Sequence, residues 1–357
     1  MTSSLVDWRL AERIAVAVAG GEDAGGEAVP PILRPRGFGG VCATAVGLAG
    51  SYARLEPLAP IPEPELVGRA EWSRGVLATL GELTGELERS GSFEYSLPGP
   101  LGRIGRSLVG VGTGTEMGLA AGYAARRVLG QYDIALTGAE RPSRLLFVVP
   151  NLTATATELE IEIDDFVRWV ALHESTHALQ FAAAPWLRDH LGELIRGLLS
   201  RVGAQVSLRG LAGRIARDPK GAVSGFLRGD VAKTLVGEAQ APALDRIQAT
   251  MTVIEGHAEH VMDAAGGAFV PSVEALRANL ERRRSRRGPL ETILARILGL
   301  DLKLRQYRQG KAFCDEVVAE AGIAGLNRIW TGPDALPSAA ELELPGPWLE
   351  RTRVAVA

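Results

Sequence analysis

The chain has 357 residues, 46% of them apolar and 23% charged, and carries a net charge of −3 at pH 7. That composition can bury a full core and excludes a disordered chain. The near-neutral balance excludes a global field drawing the protein to nucleic acid or to a membrane surface. Cys42 and Cys314 are the two cysteines and stand far apart, which excludes a disulfide framework and a CxxC zinc site and fits a reducing compartment.

The first apolar stretch, residues 5–19, has the periodicity of a short amphipathic helix. Asp7, Arg9, Glu12 and Arg13 interrupt it, so it does not read as a signal peptide. No run of about 20 apolar residues offers a bilayer span, and the expected location is the cytoplasm. Residues 20–40 are rich in Gly and Pro and predict a loop. Helical periodicity returns over 41–55 and 64–90, separated by Pro60, Pro62 and Pro64. Residues 91–102 read as a loop. The stretch GVGTGTEMG from Gly110 to Gly118 resembles a phosphate loop in its glycines but lacks the Gly-Lys-Ser/Thr ending, so a flexible loop entering a helix is the expectation. That helix spans 115–130, with small residues along one face.

Arg144–Val149, closed by Pro150, is the best strand candidate in the chain. Residues 164–184 predict a strong helix with Asp164 as its N-cap and Pro185 just past its end. Further helices are expected over 186–202, 220–236, 240–265, 271–284, 290–306 and 310–324, followed by a Pro-rich tail from Trp330 that wraps the surface. The basic run Arg282–Arg287 reads as a solvated helix end or loop. The fold class is therefore mainly α with a small β element. Residues 1–100 form an N-terminal helical region with its Gly/Pro-rich loop. Residues 101–345 are expected to form a second helical region, packed as one unit with it.

Chemistry concentrates in two short segments. The helix at 164–184 carries HESTH, with His173 and His177 one turn apart so that their imidazoles can converge on one ion. Glu174 points to the side, where it can act on a metal-bound water rather than on the metal. Phe166, Val170, His173, His177 and Phe181 fall on one stripe, so the histidines lie on the inward face. A third ligand must come from elsewhere. The helix at 240–265 reads TVIEGHAEHVMD, and four of the five histidines of the chain lie in these two segments. Glu255, Glu259, His257 and His260 are the candidates, with Asp263 supporting Glu259 in that alternative. A di-iron bundle would need a second ExxH, which this helix lacks.

The sequence from Ile254 to Ala258 resembles the NEG-x-x segment of gluzincin peptidases. That resemblance implies Glu255 as the third zinc ligand and Glu259, one turn on, as the carboxylate that orients a ligating histidine. Here isoleucine replaces the asparagine before the ligand, and glutamate replaces the commoner aspartate. More widely, residues 128–133, 146–151, 166–181, 303–313 and 325–330 resemble an actinobacterial-type family of zinc-dependent metallopeptidases or hydrolases. Some of its members are associated with deazaflavin-coenzyme biosynthesis. The resemblance implies a zincin-like metallopeptidase core within a multi-helix domain, with Zn2+ as cofactor. In such folds an edge strand pairs with an extended peptide, and residues 144–149 are the segment to expect there. Tyr132 and Tyr307 lie in these segments and read first as core anchors, second as oxyanion donors. The expected activity is zinc-dependent hydrolysis of a peptide or protein substrate, with no nucleic-acid or membrane partner. The alternative is a binding or scaffold protein that keeps a structural or vestigial zinc site, its sign a fourth protein ligand such as His257 or His260, or a buried Glu174.

Overall fold

In a computed structural model of the chain, residues 6–21, 29–89, 100–134, 142–203, 241–276, 278–279 and 300–354 are described. The helix expected over 220–236 and the basic run at 282–287 lie outside these residues. The chain divides into two compact units, one made of Met1–Cys42 and Pro62–Val170, the other of Ala43–Ile61 and Ala171–Ala357.

The first unit begins with α1 (Trp8–Ala19), capped by Asp7, whose carboxylate accepts from the Leu10 amide at 3.0 Å. It includes the start of α2 (Pro35–Ala53), then β1 (Pro64–Val67), α3 (Arg69–Arg89) and α4 (Pro100–Ala125). β2 (Gly130–Asp133), β3 (Arg144–Val148), α5 (Val149–Glu158) and the start of α6 (Ile163–Ala183) follow. The sheet order is β1–β3–β2, with β1 parallel and β2 antiparallel to β3.

Three expectations are corrected here. Residues 64–67 are a strand, not the start of a helix: Pro64 cannot donate to a helix interior, and Pro64–Val67 pairs with Leu145–Val148. β3 is the central strand, so both of its edges are occupied and it cannot take an added peptide strand. The Gly110–Gly118 stretch is not a loop but lies inside α4. Gly114 and Gly118 serve close approach to α1 and its cap. A Cβ on Gly114 would stand 2.6 Å from the Asp7 carbonyl oxygen, and one on Gly118 2.5 Å from that of Ala11. Each helical glycine costs about 1 kcal/mol against alanine, a cost that the close α1–α4 packing offsets. Ala11, Ala15, Leu77 and Ala121 form the core between α1, α3 and α4.

Polar anchors hold the sheet to its helices. Asn151 donates from Nδ2 to the carbonyls of Ala125 (2.8 Å) and Val128 (2.6 Å) and accepts from Arg69 Nε at 2.6 Å. Trp72 Nε1 donates to Gln131 Oε1 at 2.8 Å. Tyr132 lies in β2 opposite Leu145. Phe147 is fully buried edge-on against Phe38, with ring centroids 4.6 Å apart.

The second unit holds the rest of α2 and α6, then α7 (Trp186–Gly203), α8 (Ala241–Ala265) and α9 (Leu300–Leu326), which breaks at Gly322, where φ is +68°. α10 (Ala339–Glu343) and α11 (Pro345–Val354) end it. From Ala171 to Phe181 only His173 is more than marginally exposed, so this part of α6 is buried nearly all round rather than along a single stripe. Asp164 and Asp165 sit in its first turn, where negative charge complements the helix dipole. The tail from Trp330 is anchored rather than draped. Trp348 is fully buried against Phe313, and its Nε1 donates to the Ala335 carbonyl at 2.7 Å. Ser338 and Glu341 form a capping box on α10. No helix among the described residues is long and apolar enough to cross a membrane.

Candidate metal centre

The candidate site lies within the second unit, on α6 and α8. His173 and His177 project from adjacent turns of α6 and Glu255 from the middle of α8. The two histidine Nε2 atoms are 3.1 Å apart, and Glu255 Oε2 lies 3.5 Å from the first and 3.3 Å from the second. A tetrahedral zinc ion about 2.0–2.1 Å from each ligand would hold its ligand atoms about 3.3 Å apart. Among the described residues these three form the one group of His, Cys, Asp and Glu side chains that can hold a metal ion.

The chemistry of the donors agrees with the spacing. Gln180 Nε2 donates to the Ile254 carbonyl at 2.9 Å, which fixes the amide orientation and turns Oε1 to His177 Nδ1 at 2.9 Å. An amide oxygen only accepts, so His177 Nδ1 carries the proton and its Nε2 presents a lone pair. His173 Nδ1 faces the Met262 thioether sulfur at 3.2 Å, also an acceptor, so its Nε2 lone pair likewise faces inward. Two imidazole lone pairs and a carboxylate oxygen therefore converge within 3.5 Å. Such a set is stable only around positive charge. In the metal-free protein a proton can supply it. Burial disfavours the imidazolium of His173, but the Glu255 hydrogen bond and the charges of Glu174, Glu255 and Glu259 outweigh burial and raise its pKa.

The other expected residues sit close by. Glu174 is buried, 8% exposed, and near enough for its charge to act on His173. Glu259 is half-buried and also adds negative charge near His173, while the imidazole N–H groups described above face Met262 and Gln180. His257 is fully buried; its Nδ1 accepts from Gln180 Nε2 at 2.9 Å, its ring stands edge-on to Trp330, and burial pushes its pKa down to about 3. His260 points into a different network: Nδ1 donates to Asp315 Oδ1 at 2.7 Å, and Nε2 lies 2.7 Å from the Tyr52 hydroxyl. Lys311 joins Asp315 (2.5 Å) to Asp263 (3.0 Å). Neither His257 nor His260 thus stands with the three converging atoms, and Asp263 pairs with Lys311. The side chain of Tyr307 lies outside the described residues.

Sequence reasoning passed over Gln180, Met262, Tyr52 and Asp315. The first two carried a signal. Gln180 is three residues after His177, and Met262 is seven after Glu255, each on the face of its ligand. Tyr52 and Asp315 reach His260 from distant segments and left none.

α8 holds its place through a backbone contact with α9. A Cβ on Gly256, next to Glu255, would stand 2.0 Å from the Gly310 carbonyl carbon, and one on Gly310 2.0 Å from the Thr252 oxygen. The glycines let the two helices touch backbone to backbone beside the site.

The zincin-like metallopeptidase family matches the chain over residues 6–349, and the chain belongs to that family. Membership implies a metal, ordinarily zinc, and the three converging donors suit one. Among solved structures, the chain is similar to "a putative hydrolase with a novel fold" from Chloroflexus aurantiacus. The identity is 29%, the TM-score 0.68, and the match covers 98% of this chain and 99% of that one. No curated protein matches the chain.

Proposed function

We propose that the protein is a zinc-dependent metallopeptidase in which His173, His177 and Glu255 hold the ion and Glu174 is the general base and acid. The observation that carries this reading is the convergence of two imidazole lone pairs and one carboxylate oxygen at 3.1–3.5 Å, with no fourth protein ligand beside them among the described residues. Three protein ligands and a free position are the mark of a catalytic zinc site. Zinc, when bound, lowers the pKa of a water ligand to about 7 and polarises a carbonyl. Glu174 is one residue from a ligand and takes the proton of the attacking water on a carboxylate oxygen. It then delivers that proton to the leaving nitrogen of the cleaved amide.

The test is Glu174→Gln. The variant should hold zinc as the wild type does and lose peptide-library cleavage by about 10²–10⁴-fold. Full activity in the variant would remove Glu174 from its role. The burial of Glu174, at 8% exposed, favours a second reading, a metal site retained for structure or binding. Wild-type protein that holds zinc yet cleaves no member of the library would establish that reading instead.

A further inference from the structure

We infer that Gln180 is the positioning residue of the metal centre, acting as a neutral clamp that sets the tautomer of His177 and the register of Glu255 together. This rests on the metal reading of His173, His177 and Glu255. Gln180 is fully buried, and each polar atom of its side chain has a partner. Oε1 accepts from His177 Nδ1 at 2.9 Å, while Nε2 donates to the Ile254 carbonyl and to His257 Nδ1, both at 2.9 Å. Ile254 and His257 flank Glu255 in the chain. One side chain of α6 is thereby bonded to one ligand on its own helix and to both sides of the ligand on α8.

A primary amide suits this task because it accepts and donates at once. A carboxylate would accept from His177 as well or better, but would turn an oxygen toward the Ile254 carbonyl and the lone pair of His257 Nδ1. A purely apolar side chain would leave the Nδ1–H of His177 buried without its acceptor and would remove the bonds that tie α6 to Ile254 and His257. It would also free the imidazole to place its proton on Nε2, the nitrogen the metal needs. Groups that receive the outer N–H of a ligating histidine are typically worth 10–100-fold in metal affinity.

The experiment compares wild type, Gln180→Met and Gln180→Glu. Zinc affinity is read by competition with a chromophoric chelator, and the His177 tautomer by long-range 1H–15N correlation in the metal-free wild type, where only five histidines contribute signals. The clamp predicts that His177 carries its proton on Nδ1. It predicts that Gln180→Met binds zinc about 10–100-fold more weakly, and that Gln180→Glu, which keeps an acceptor opposite Nδ1 but loses the donor to Ile254 and His257, also binds more weakly than wild type. A proton on Nε2 of His177 would overturn the inference, as would either variant binding zinc within twofold of wild type. Should Gln180→Met not fold, the tautomer of the wild type still decides. Wild-type protein that binds no zinc would instead defeat the metal reading, leaving the tautomer to judge Gln180.

Discussion

His260 is a ligating residue type on a ligand-bearing helix, yet its neighbours commit it elsewhere. Ionised Asp315 can only accept from Nδ1, so Nε2 accepts from the Tyr52 hydroxyl. Burial alone would raise the pKa of Asp315, but its hydrogen bonds to Lys311 and His260 outweigh burial and hold it below the usual carboxylate range. A carboxylate depressed in this way stabilises the fold above its unfolded pKa, about 3.9. That contribution is lost as the pH falls through its lower folded value. Asp315→Asn should therefore be less stable than wild type at neutral pH, with the gap closing below about pH 4. Urea denaturation of both proteins across that range measures it, and a gap independent of pH would contradict the assignment. The same residues show where the sequence stops being legible. His173 and His177 stood out because their spacing on one helix is itself the chemistry, and Glu255 because its segment resembles that of gluzincin peptidases. The partners of His260 come from α2 and α9, and only the tertiary fold brings those segments to α8.

At the scale of elements, the helices bearing the site were readable because their signals are local. The expected 164–184 and 240–265 became α6 (Ile163–Ala183) and α8 (Ala241–Ala265). Where a glycine or proline had two physical meanings, reading it locally failed. The glycines of 110–118 looked like loop punctuation, but Gly114 and Gly118 lie where α4 meets α1. Residues 64–67 carry no helix-breaking pattern beyond Pro64, and their strand exists because β3 is there to pair with. The tail looked like a surface wrap because four prolines punctuate it, although Trp348 anchors it in the core. The contact of α8 with α9 makes a direct prediction. Gly256→Ala places a methyl group where the Gly310 backbone already is, at 2.0 Å, and no side-chain rotation relieves it. The helices must part, at a cost of about 1–3 kcal/mol or more, and Glu255 moves with its neighbour. Thermal unfolding should show a lowered midpoint and chelator competition a weakened zinc affinity. An unchanged midpoint would mean that the two helices are not in backbone contact.

At the scale of the whole molecule, the candidate site belongs to one of the two compact units, and its ligands come from segments separated by α7 and the chain that follows it. The family match runs across both units, over residues 6–349. Asn151, Gln131 and Asn327 serve as anchors. Asn327, for one, donates to the Ala53 carbonyl at 2.7 Å. These residues serve the architecture, and the candidate metal ligands stand on α6 and α8. A ligand that binds only the folded chain stabilises it in proportion to the logarithm of its concentration over its dissociation constant, so zinc should raise the unfolding temperature of the wild type. The central claim is that three named atoms hold one metal ion, and metal analysis of purified, dialysed protein tests it most directly. Wild type should carry one zinc per chain, and His177→Ala and Glu255→Ala should each lose it. Wild type without zinc, or Glu255→Ala retaining it, would contradict the account.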